Sequence, residues 1–364
     1  MKDFYIDRPR SVSARIAAQI ELAPASSYLL VGGVGSGKTT ELLAAERRIA
    51  GRTDVTTLYV DISKQHDIGK MAPGVVVAQV GLALADELQR GGISTDYIQR
   101  ARDVAFGYSE DWDPYNGQSD GEYIPGILTV PDEPPESVRR ARVPFEGLLK
   151  EVRTRIQNLV VLLDGLDRMT DLQAFEQLVI HDIKVLTSLG VGVVLVGPLR
   201  TMYGLDRVVA DRFDDFHYQP WIDVIQDPAG RDFLSAVLTK RAMEAFDPPG
   251  IDALVDASGG VMRDLLSLAQ TALVETYMDG GERVGSHEVD DAVAAFGRKH
   301  LQGLRPSELK VLQRVRTDGV FVETSEDDLA LLMTRRVLEY RVQNQPRYAV
   351  HPTIEGLLRR LAGE

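Results

Sequence analysis

Four residues near the start of the chain have the types and the spacing that bind phosphate. Gly32 is followed, after four intervening residues, by Gly37, Lys38 and Thr39. Glycines let the backbone curl with its N–H groups pointing inward, and a following helix adds its positive N-terminal end. Lys38 can then reach the β- and γ-phosphates of a nucleoside triphosphate, while the Thr39 hydroxyl can join a Mg²⁺ shell. The residues predicted to bind the nucleotide are Gly32, Gly33, Gly35, Ser36, Gly37, Lys38, Thr39 and Thr40.

The residues on both sides of this loop favour the phosphate-binding interpretation. The apolar run 29–31 predicts a strand that ends at the loop, and the run 41–49 predicts a helix that begins after it. The alternative is a glycine-rich turn that carries a lysine by chance. Because strand, loop and helix occur in the order that the motif requires, we favour binding of a nucleoside triphosphate.

A second group of candidate residues follows a buried strand in the middle of the chain. Residues 159–163 are five consecutive apolar residues, typical of a strand buried on both faces of a parallel sheet, and Asp164 follows directly. A carboxylate at this end of a strand beside the phosphate loop can bind Mg²⁺, so Thr39 and Asp164 are the predicted metal ligands. Asp167 could orient or activate the attacking water. The alternative is that both aspartates cap the next helix.

The composition excludes several classes of site. With 44% hydrophobic and 26% charged residues, the chain is typical of globular proteins, and no apolar run approaches the ~18 residues that span a bilayer. The absence of cysteine excludes disulfides and zinc–thiolate sites and suits a reducing cytosol, so we expect a cytoplasmic protein. The six histidines do not pair at metal-ligand spacing. A net charge of −13 argues against indiscriminate nucleic-acid binding by the whole chain.

The order of the predicted elements divides the chain into three parts. Strands alternate with helices up to residue 220, which favours an α/β fold with a parallel sheet. Residues 221–303 are predicted to be helical. Residues 304–364 are predicted to form two helices, two short strands around the turn 343–346 and a last helix, which is a winged-helix outline. We therefore predict domains at 1–220, 221–303 and 304–364.

One segment of the first part differs in composition. Residues 107–136 hold eight Asp or Glu, no Lys or Arg, and five prolines. Such a segment cannot bury a core, so it is predicted to be a long loop or a disordered insertion. Its aromatic side chains could pack on the parent domain or dock on a partner; they are Tyr108, Trp112, Tyr115 and Tyr123.

The two motifs together resemble those of the AAA+/STAND group of ATPases. The resemblance is carried by the loop 32–39 and by the run Leu163-Asp164-Gly165-Leu166-Asp167-Arg168. The Asp-Gly-x-Asp ending is similar to the NACHT form, and its closing Asp-Arg resembles the KAP P-loop proteins. The chain differs at Arg168, where the NACHT pattern has an acid, and at Gly165, where ordinary AAA+ enzymes have Glu. The resemblance implies ATP and Mg²⁺ as cofactors, slow hydrolysis, and a P-loop NTPase domain followed by a helical lid and a winged helix.

Three further stretches extend the resemblance. Residues 193–198 match the sensor-one strand without its polar tip, unless Arg200 or Thr201 serves instead. The run 210–213 is similar to the Ser-Arg-Phe stretch of initiator and clamp-loader ATPases, which makes Arg212 a candidate arginine finger in trans, with Arg207 behind it. The run 258–266 resembles the sensor-two stretch of initiator lids, which would point Arg263 at the γ-phosphate. For both arginines, Arg212 and Arg263, the alternative is a solvated position at a helix surface.

The role of residues 304–364 stays open between two interpretations. Residues 301–364 hold ten Lys or Arg against nine Asp or Glu, so this part is nearly neutral. Four arginines nevertheless cluster around the second helix and the wing, where DNA phosphates would be contacted; they are Arg335, Arg336, Arg341 and Arg347. In STAND proteins the same module packs on the nucleotide domain, and we slightly favour that role.

Three functions follow as hypotheses. The first is an AAA+/STAND ATPase acting as a nucleotide-dependent switch or assembly module, with self-association and a protein partner or effector; by resemblance alone, a role in bacterial defence is implied. The alternative is a DNA-binding initiator or transposition-helper ATPase that uses residues 304–364. The third is a nucleotide-gated scaffold that does not hydrolyse ATP.

Overall fold

The computed structural model describes residues 4–109, 123–130, 133–203, 209–342 and 345–362. The packing of the chain divides it into two compact units. The sheet unit consists of Ser13–Val31 and Thr39–His217, and the loop unit consists of Met1–Val12, Gly32–Lys38 and Tyr218–Glu364. The phosphate loop, residues 32–38, therefore groups with the C-terminal half of the chain. The three predicted domains remain a prediction.

The described part of the chain contains strands and α-helices in the following order. The strands are β1 (Ser27–Gly32), β2 (Val55–Asp61), β3 (Gly107–Ser109), β4 (Tyr123–Pro125), β5 (Asn158–Asp164), β6 (Gly192–Val196), β7 (Asp215–Gln219), β8 (Val337–Val342) and β9 (Gln345–Val350). The helices are α1 (Val12–Leu22), α2 (Lys38–Ile49), α3 (Ile62–Gln65), α4 (Val75–Arg90), α5 (Asp96–Phe106), α6 (Glu136–Arg153), α7 (Leu172–Leu178), α8 (Lys184–Ser188), α9 (Pro228–Ala242), α10 (Pro248–Ala257), α11 (Met262–Met278), α12 (Ser286–Leu301), α13 (Pro306–Asp318), α14 (Glu326–Met333) and α15 (Pro352–Ala362).

A five-stranded sheet with the order β2-β5-β6-β1-β7 is the centre of the sheet unit. The pairs β2/β5, β5/β6 and β1/β6 are parallel, with Leu162 opposite Val194 and Leu29 opposite Leu195. Strands β1 and β6 are buried along their whole length, and β5 is buried after its first residue. Burial on both faces accounts for the continuous apolar runs that predicted these strands.

The helical segment between β5 and β6 is interrupted in its middle. A π-helical turn at Val179–Ile183 separates α7 from α8. Asp182 lies in this turn, is fully buried, and accepts hydrogen bonds from the N–H groups of Gly74 (2.8 Å) and Val77 (3.0 Å). These donors lie at the N-terminus of α4, where N–H groups have no partner within the helix. The carboxylate of Asp182 therefore caps α4 from a distant part of the chain.

The prediction of a loop throughout 107–136 is wrong at both ends of that segment. Strands β3 and β4 pair antiparallel, with Tyr108 opposite Ile124, and α6 begins at Glu136. The pairing gives the backbone hydrogen bonds that an unstructured segment would leave to water. Ile127 is buried, and the Tyr123 hydroxyl donates to the carbonyl of Phe106 (3.1 Å). Residues 110–122, with Trp112 and Tyr115, lie outside the described residues.

Helices α9–α12 form the core of the loop unit. Buried side chains from all four helices pack in one cluster; it includes Leu234, Leu238, Leu254, Leu265, Leu268, Val289 and Ala292. The remaining elements follow the predicted order of helix, helix, hairpin and helix, as α13, α14, β8/β9 and α15. Strand β9 begins at Gln345, with Pro346 opposite Arg341, so two residues of the predicted turn belong to the strand. Among the helices that the structure describes, none combines the length and apolarity needed to cross a bilayer.

Candidate phosphate-binding site

The phosphate loop closes around the ammonium group of Lys38. Its Nζ donates to the carbonyl oxygens of Gly32 (2.8 Å) and Gly33 (3.1 Å), and the side chain is only 4% exposed. Gly35 and Gly37 have φ values of +81° and +96°, which side-chain-bearing residues seldom adopt. The loop therefore needs glycine at these two positions, and its own carbonyls bind the Lys38 ammonium. Contact between Lys38 and phosphates stays a prediction.

Ser36 carries a buried hydroxyl without a partner in the loop. The residue is 3% exposed, and its Oγ makes no hydrogen bond to any residue that the structure describes. Leaving a buried polar group unpaired costs about 1–3 kcal/mol. A phosphate oxygen is an acceptor that this hydroxyl can bind. The donors of the loop, an ammonium, a hydroxyl and backbone N–H groups, thus fit a polyphosphate.

Arg263 lies against this loop. Its backbone N–H donates to the carbonyl of Gly35 (3.4 Å), and its Cβ is 2.7 Å from the position that a Cβ on Gly35 would occupy. Arg263 is the second residue of α11, in the first turn that the sequence predicts. Contact between its guanidinium and a γ-phosphate stays a prediction.

Asp164 ends the buried strand β5 and has partners for both carboxylate oxygens. Oδ2 accepts the Tyr59 hydroxyl (3.0 Å), and Oδ1 accepts the N–H of Gly165 (2.8 Å). Burial, followed by the negative charge of Asp164, raises the pKa of Tyr59 above its ordinary value, so this hydroxyl keeps its proton and donates. Sequence reasoning missed Tyr59. The only signal for it is that β2, like β5, ends in an aspartate at the same register position.

The glycine after Asp164 is required by its surroundings. Gly165 has a φ of +94°, and a Cβ there would lie 2.9 Å from both the backbone nitrogen and the Cβ of Ser63. Contacts that close to backbone are almost never found in proteins. Glycine at position 165 is therefore required by the backbone around Ser63, which leaves no room for a side chain.

The two aspartates do not cap the next helix. The N-cap of α7 is Asp171, which accepts from the N–H groups of Gln173 (2.9 Å) and Ala174 (3.0 Å). Asp167 lies before it, in a single 3₁₀ turn at Leu166–Arg168. The prediction that Asp164 and Asp167 cap the next helix is therefore wrong.

The predicted metal ligands have suitable chemistry for Mg²⁺. Thr39, the second residue of α2, and Asp164 offer a hydroxyl and a carboxylate, the hard oxygen donors that Mg²⁺ prefers. The described residues include no group of three or more His, Asp or Glu side chains arranged to hold a metal ion. Mg²⁺ commonly takes few protein ligands and completes its shell with phosphate oxygens and water. These two residues fit that pattern.

The predicted arginine finger is bound within its own unit. Arg212 Nη2 donates to Glu176 Oε1 (2.7 Å), and both side chains are partly exposed. The hydroxyl of Thr201, one substitute for a sensor-one tip, donates to the carbonyl of Pro198 (2.7 Å) within its own turn. Arg207 lies outside the described residues. A role of Arg212 in trans stays a prediction.

The four C-terminal arginines all bind groups of their own chain. Arg335 binds Asp264 (2.9 Å), and Arg347 binds Asp223 (2.6 Å). Arg341 binds the buried Glu339 (2.7 Å), and Arg336 donates to the carbonyl of His300 (2.6 Å) and to that of Gln302 (2.8 Å). The cluster seen in the sequence is therefore a set of intramolecular contacts. To bind phosphate, these arginine side chains would have to leave those partners.

The sheet order and the position of the loop decide the fold. The loop connects β1 to α2, and Asp164 ends β5, which is separated from β1 by β6 alone. This is the α/β fold of P-loop nucleoside triphosphatases. No protein-family model matches the chain, and no curated protein matches it either.

Several solved structures are similar along nearly the whole chain. The Orc1 protein of Aeropyrum pernix, solved in complex with DNA, has 17% identity and a TM-score of 0.47, over 98% of this chain and 93% of that one. The RuvB Holliday-junction branch-migration motor of Thermotoga maritima has 10% identity and a TM-score of 0.43, over 98% and 95%. Cdc6p of Pyrobaculum aerophilum has 13% identity and a TM-score of 0.42, over 100% and 97%. At such identities the similarity concerns the fold alone.

Proposed function

We propose that this chain is an ATP-binding, slowly hydrolysing ATPase of the AAA+/STAND type that works as a nucleotide-dependent switch or assembly module. The observation that carries the proposal is the phosphate loop itself. Lys38 is held inside the curl, and the hydroxyl of Ser36 is buried without a partner among the described residues. A loop of this construction is suited to an anion such as a polyphosphate.

Each predicted site residue has a role in this proposal. The residues 32–40 bind the phosphates, and Lys38 stabilises the charge on the β- and γ-phosphates. Thr39 and Asp164 would hold Mg²⁺, and the metal would supply neutralisation of phosphate charge. Asp167 orients the attacking water. Arg263 contacts the γ-phosphate from the same subunit, and Arg212 acts in trans after leaving Glu176.

Slow hydrolysis is supported by the surroundings of Asp164. Its two oxygens accept hydrogen bonds from Tyr59 and Gly165, so the carboxylate is oriented but already engaged. No side chain fits at position 165 because of Ser63. The general base would then be Asp167, two residues beyond the position where ordinary AAA+ enzymes carry glutamate. The position of this general base in a turn, and not directly after the strand, supports the proposal that hydrolysis is slow.

The switching role is supported by contacts within the loop unit. Strand β8 forms a bridge between Tyr340 and Trp221, and Trp221 donates through Nε1 to the carbonyl of Val34 in the phosphate loop (3.2 Å). A second connection runs from Arg335 to Asp264, the neighbour of Arg263. Because both connections link the phosphate loop to residues 304–364, a ligand that shifts the loop would also shift the C-terminal elements.

The partners implied are ATP, a second copy of the chain, and a protein effector. A winged-helix identity for residues 304–364 and a role in bacterial defence belong to this proposal. DNA binding through 304–364 is the alternative outcome. The in-chain ion pairs of Arg335 and Arg347 support the packing role instead, as does the acidic first turn of α14, with Glu326, Asp327 and Asp328.

The test compares two variants of the full chain. Lys38→Ala should abolish binding of a slowly hydrolysed ATP analogue in calorimetry, and Asp164→Asn should keep binding but lose Mg²⁺-dependent phosphate release. Unchanged affinity in Lys38→Ala would overturn the nucleotide site. Turnover that persists in Asp164→Asn would remove Asp164 from the reaction, and an unmodified chain without any turnover would favour the scaffold.

Two further measurements separate switch from initiator. Sizing with and without the ATP analogue should show a change of assembly or dimension; no change would count against the trans role of Arg212. Retention on duplex DNA is measured at two salt concentrations, with and without ATP. Strong ATP-dependent retention that weakens steeply with salt would replace the switch by the initiator alternative.

A further inference from the structure

Three consecutive carbonyl groups of the phosphate loop accept hydrogen bonds from other parts of the loop unit. The indole Nε1 of Trp221 donates to Val34 (3.2 Å), and the backbone N–H of Arg263 donates to Gly35 (3.4 Å). The guanidinium of Arg8 donates through Nη1 to Ser36 (2.7 Å). Since Lys38 binds the carbonyls of Gly32 and Gly33, all five carbonyls from 32 to 36 have a partner.

These bonds determine which way the loop's N–H groups point. A trans peptide unit is planar and carries its C=O and the next N–H on opposite sides. Holding the carbonyls of Val34 and Ser36 toward Trp221 and Arg8 therefore directs the N–H groups of Gly35 and Gly37 away from those side chains. A phosphate-binding loop consists of backbone N–H groups that point to the same side.

Close packing against Trp221 also requires glycine at position 33. A Cβ at position 33 would overlap the indole ring, and Trp221 is among the largest fully buried side chains of the chain. Gly33 is one of the four variable positions of the motif, so the motif alone does not require glycine there. The close packing fixes the ring against the loop and so fixes the direction of its N–H.

Arg8 has a geometry that suits the same task. Its second nitrogen, Nη2, donates to the carbonyl of Pro220 (2.8 Å), so one guanidinium binds the loop and the residue before Trp221 together. A guanidinium presents its donors in a rigid planar fork, whereas a lysine ammonium is a single point. Arg8 thereby links the N-terminal segment both to the phosphate loop and to the residue before Trp221.

We infer that Arg8 and Trp221 are positioning residues for the polyphosphate of a nucleoside triphosphate. They act through the loop backbone and touch its outer side, and they preorganise the N–H groups before the ligand arrives. The inference rests on the proposed nucleotide site, and it adds two residues that the phosphate-loop motif does not contain.

The test measures affinity for two probes, a slowly hydrolysed ATP analogue and inorganic tripolyphosphate, by isothermal titration calorimetry. Arg8→Ala should weaken binding of both probes by about ten- to a hundredfold, the range for a charged hydrogen bond. Trp221→Phe removes the Nε1 donor together with part of the indole ring that packs against Gly33, so a loss of about three- to tenfold or more is expected. Arg8→Lys should bind both probes more tightly than Arg8→Ala. Arg359→Ala, on the exposed face of α15, is the control and should bind both probes with wild-type affinity.

Each outcome decides between specific alternatives. If the affinity for the ATP analogue falls but that for tripolyphosphate does not, the two residues serve the nucleoside part of the ligand and the inference is overturned. Affinities within twofold of wild type in Arg8→Ala and Trp221→Phe, with binding lost in Lys38→Ala, would also overturn it while leaving the nucleotide site intact. Binding retained in Lys38→Ala would instead overturn the nucleotide site. Should Arg8→Ala fail to fold, Trp221→Phe decides alone.

Discussion

Arg335 donates through Nε to the carboxylate of Asp264, at a distance of 2.9 Å and across 71 positions of sequence. Asp264 is 1% exposed, and the Nε2 of the buried His351 lies 3.4 Å from the same oxygen. Burial by itself raises the pKa of Asp264, but the nearby imidazole of His351 and the charge of Arg335 together bring it below its ordinary value. Arg335 has a φ of +60°, a conformation that costs a non-glycine residue about 1–2 kcal/mol. The ion pair offsets this strain.

Breaking this pair from one side should be strongly destabilising. Arg335→Gln leaves the Asp264 carboxylate buried without its main cation, and the loss of one partner of a buried pair costs about 3–5 kcal/mol. Urea unfolding measures the change. The double variant Arg335→Gln/Asp264→Asn should lose less than the sum of the two single variants, because neither charge is then left alone.

The matched control for this pair is Arg359→Gln, which removes an exposed pair with Glu355 on α15. An exposed pair four residues apart on a helix contributes about 0.3–0.5 kcal/mol. If Arg335→Gln loses no more stability than Arg359→Gln, then Arg335 and Asp264 do not connect the C-terminal elements to α11.

Restoring glutamate after Asp164 should damage the protein without activating it. Gly165→Glu places a Cβ 2.9 Å from the Ser63 backbone nitrogen and forces a side-chain-bearing residue into a φ of +94°. We expect a loss of roughly 2 kcal/mol or more in the free energy of unfolding, as found for overpacking, and no rise in phosphate release. Gly51→Ala is the control, because a Cβ at Gly51 meets open space. A stable Gly165→Glu variant with faster turnover would contradict the account of position 165.

The sequence was sufficient for the elements with strong local signals. The loop 32–39 has a motif, and β5 is an uninterrupted apolar run. The helical character of residues 221–303 also agrees with helices α9–α12. Helix α5 and the β3/β4 hairpin were missed. The hairpin has strands of only three residues, which are too short to show an alternating pattern.

The long-range partners of the site had no signal in the sequence. Tyr59 meets Asp164 only because β2 pairs with β5, and Asp182 caps α4 from more than 100 positions away. The four C-terminal arginines suggested a cationic surface, yet Arg347 binds Asp223 and Arg335 binds Asp264. Charge counting along the chain gives the number of arginines, whereas their partners depend on which segments the fold brings together.

The buried Asp182 should make stability fall as the pH rises. Burial raises the pKa of Asp182 to about 7, against the lowering effect of hydrogen bonds from Gly74 and Val77. Between about pH 4 and pH 7 the folded chain then holds a proton that the unfolded chain has lost, so this residue contributes a loss of up to about 1.4 kcal/mol per pH unit. Asp182→Asn should remove that contribution, as measured by urea unfolding across the range. Asp86→Asn, at an exposed position, is the control, and an equal slope in Asp182→Asn and Asp86→Asn would refute the prediction.

The buried His300 should make stability fall as the pH falls, opposite to the effect of Asp182. Burial, followed by the positive charge of His351 nearby, lowers the pKa of His300 to about 4. Between pH 6.5 and pH 4 the unfolded chain binds a proton that the folded chain does not, so stability falls as the pH falls, by up to about 1.4 kcal/mol per unit. The charged groups that face His300 are His351, Asp264, Arg335 and Arg336.

Replacing His300 separates its contribution from that of other groups. His300→Leu cannot titrate, so the decline in unfolding free energy from pH 6.5 to pH 4 should become shallower by the contribution of one site. His287→Leu is the control, since the side chain of His287 is 82% exposed. The two buried groups can also be combined. Because Asp182 and His300 act in opposite directions over much of the range from pH 4 to pH 6.5, their contributions largely cancel in the unmodified chain. The slopes of Asp182→Asn and His300→Leu should therefore depart from the slope of the unmodified chain in opposite directions, and the double variant Asp182→Asn/His300→Leu should return close to it. Single variants whose slopes equal that of the unmodified chain would rule out both assignments.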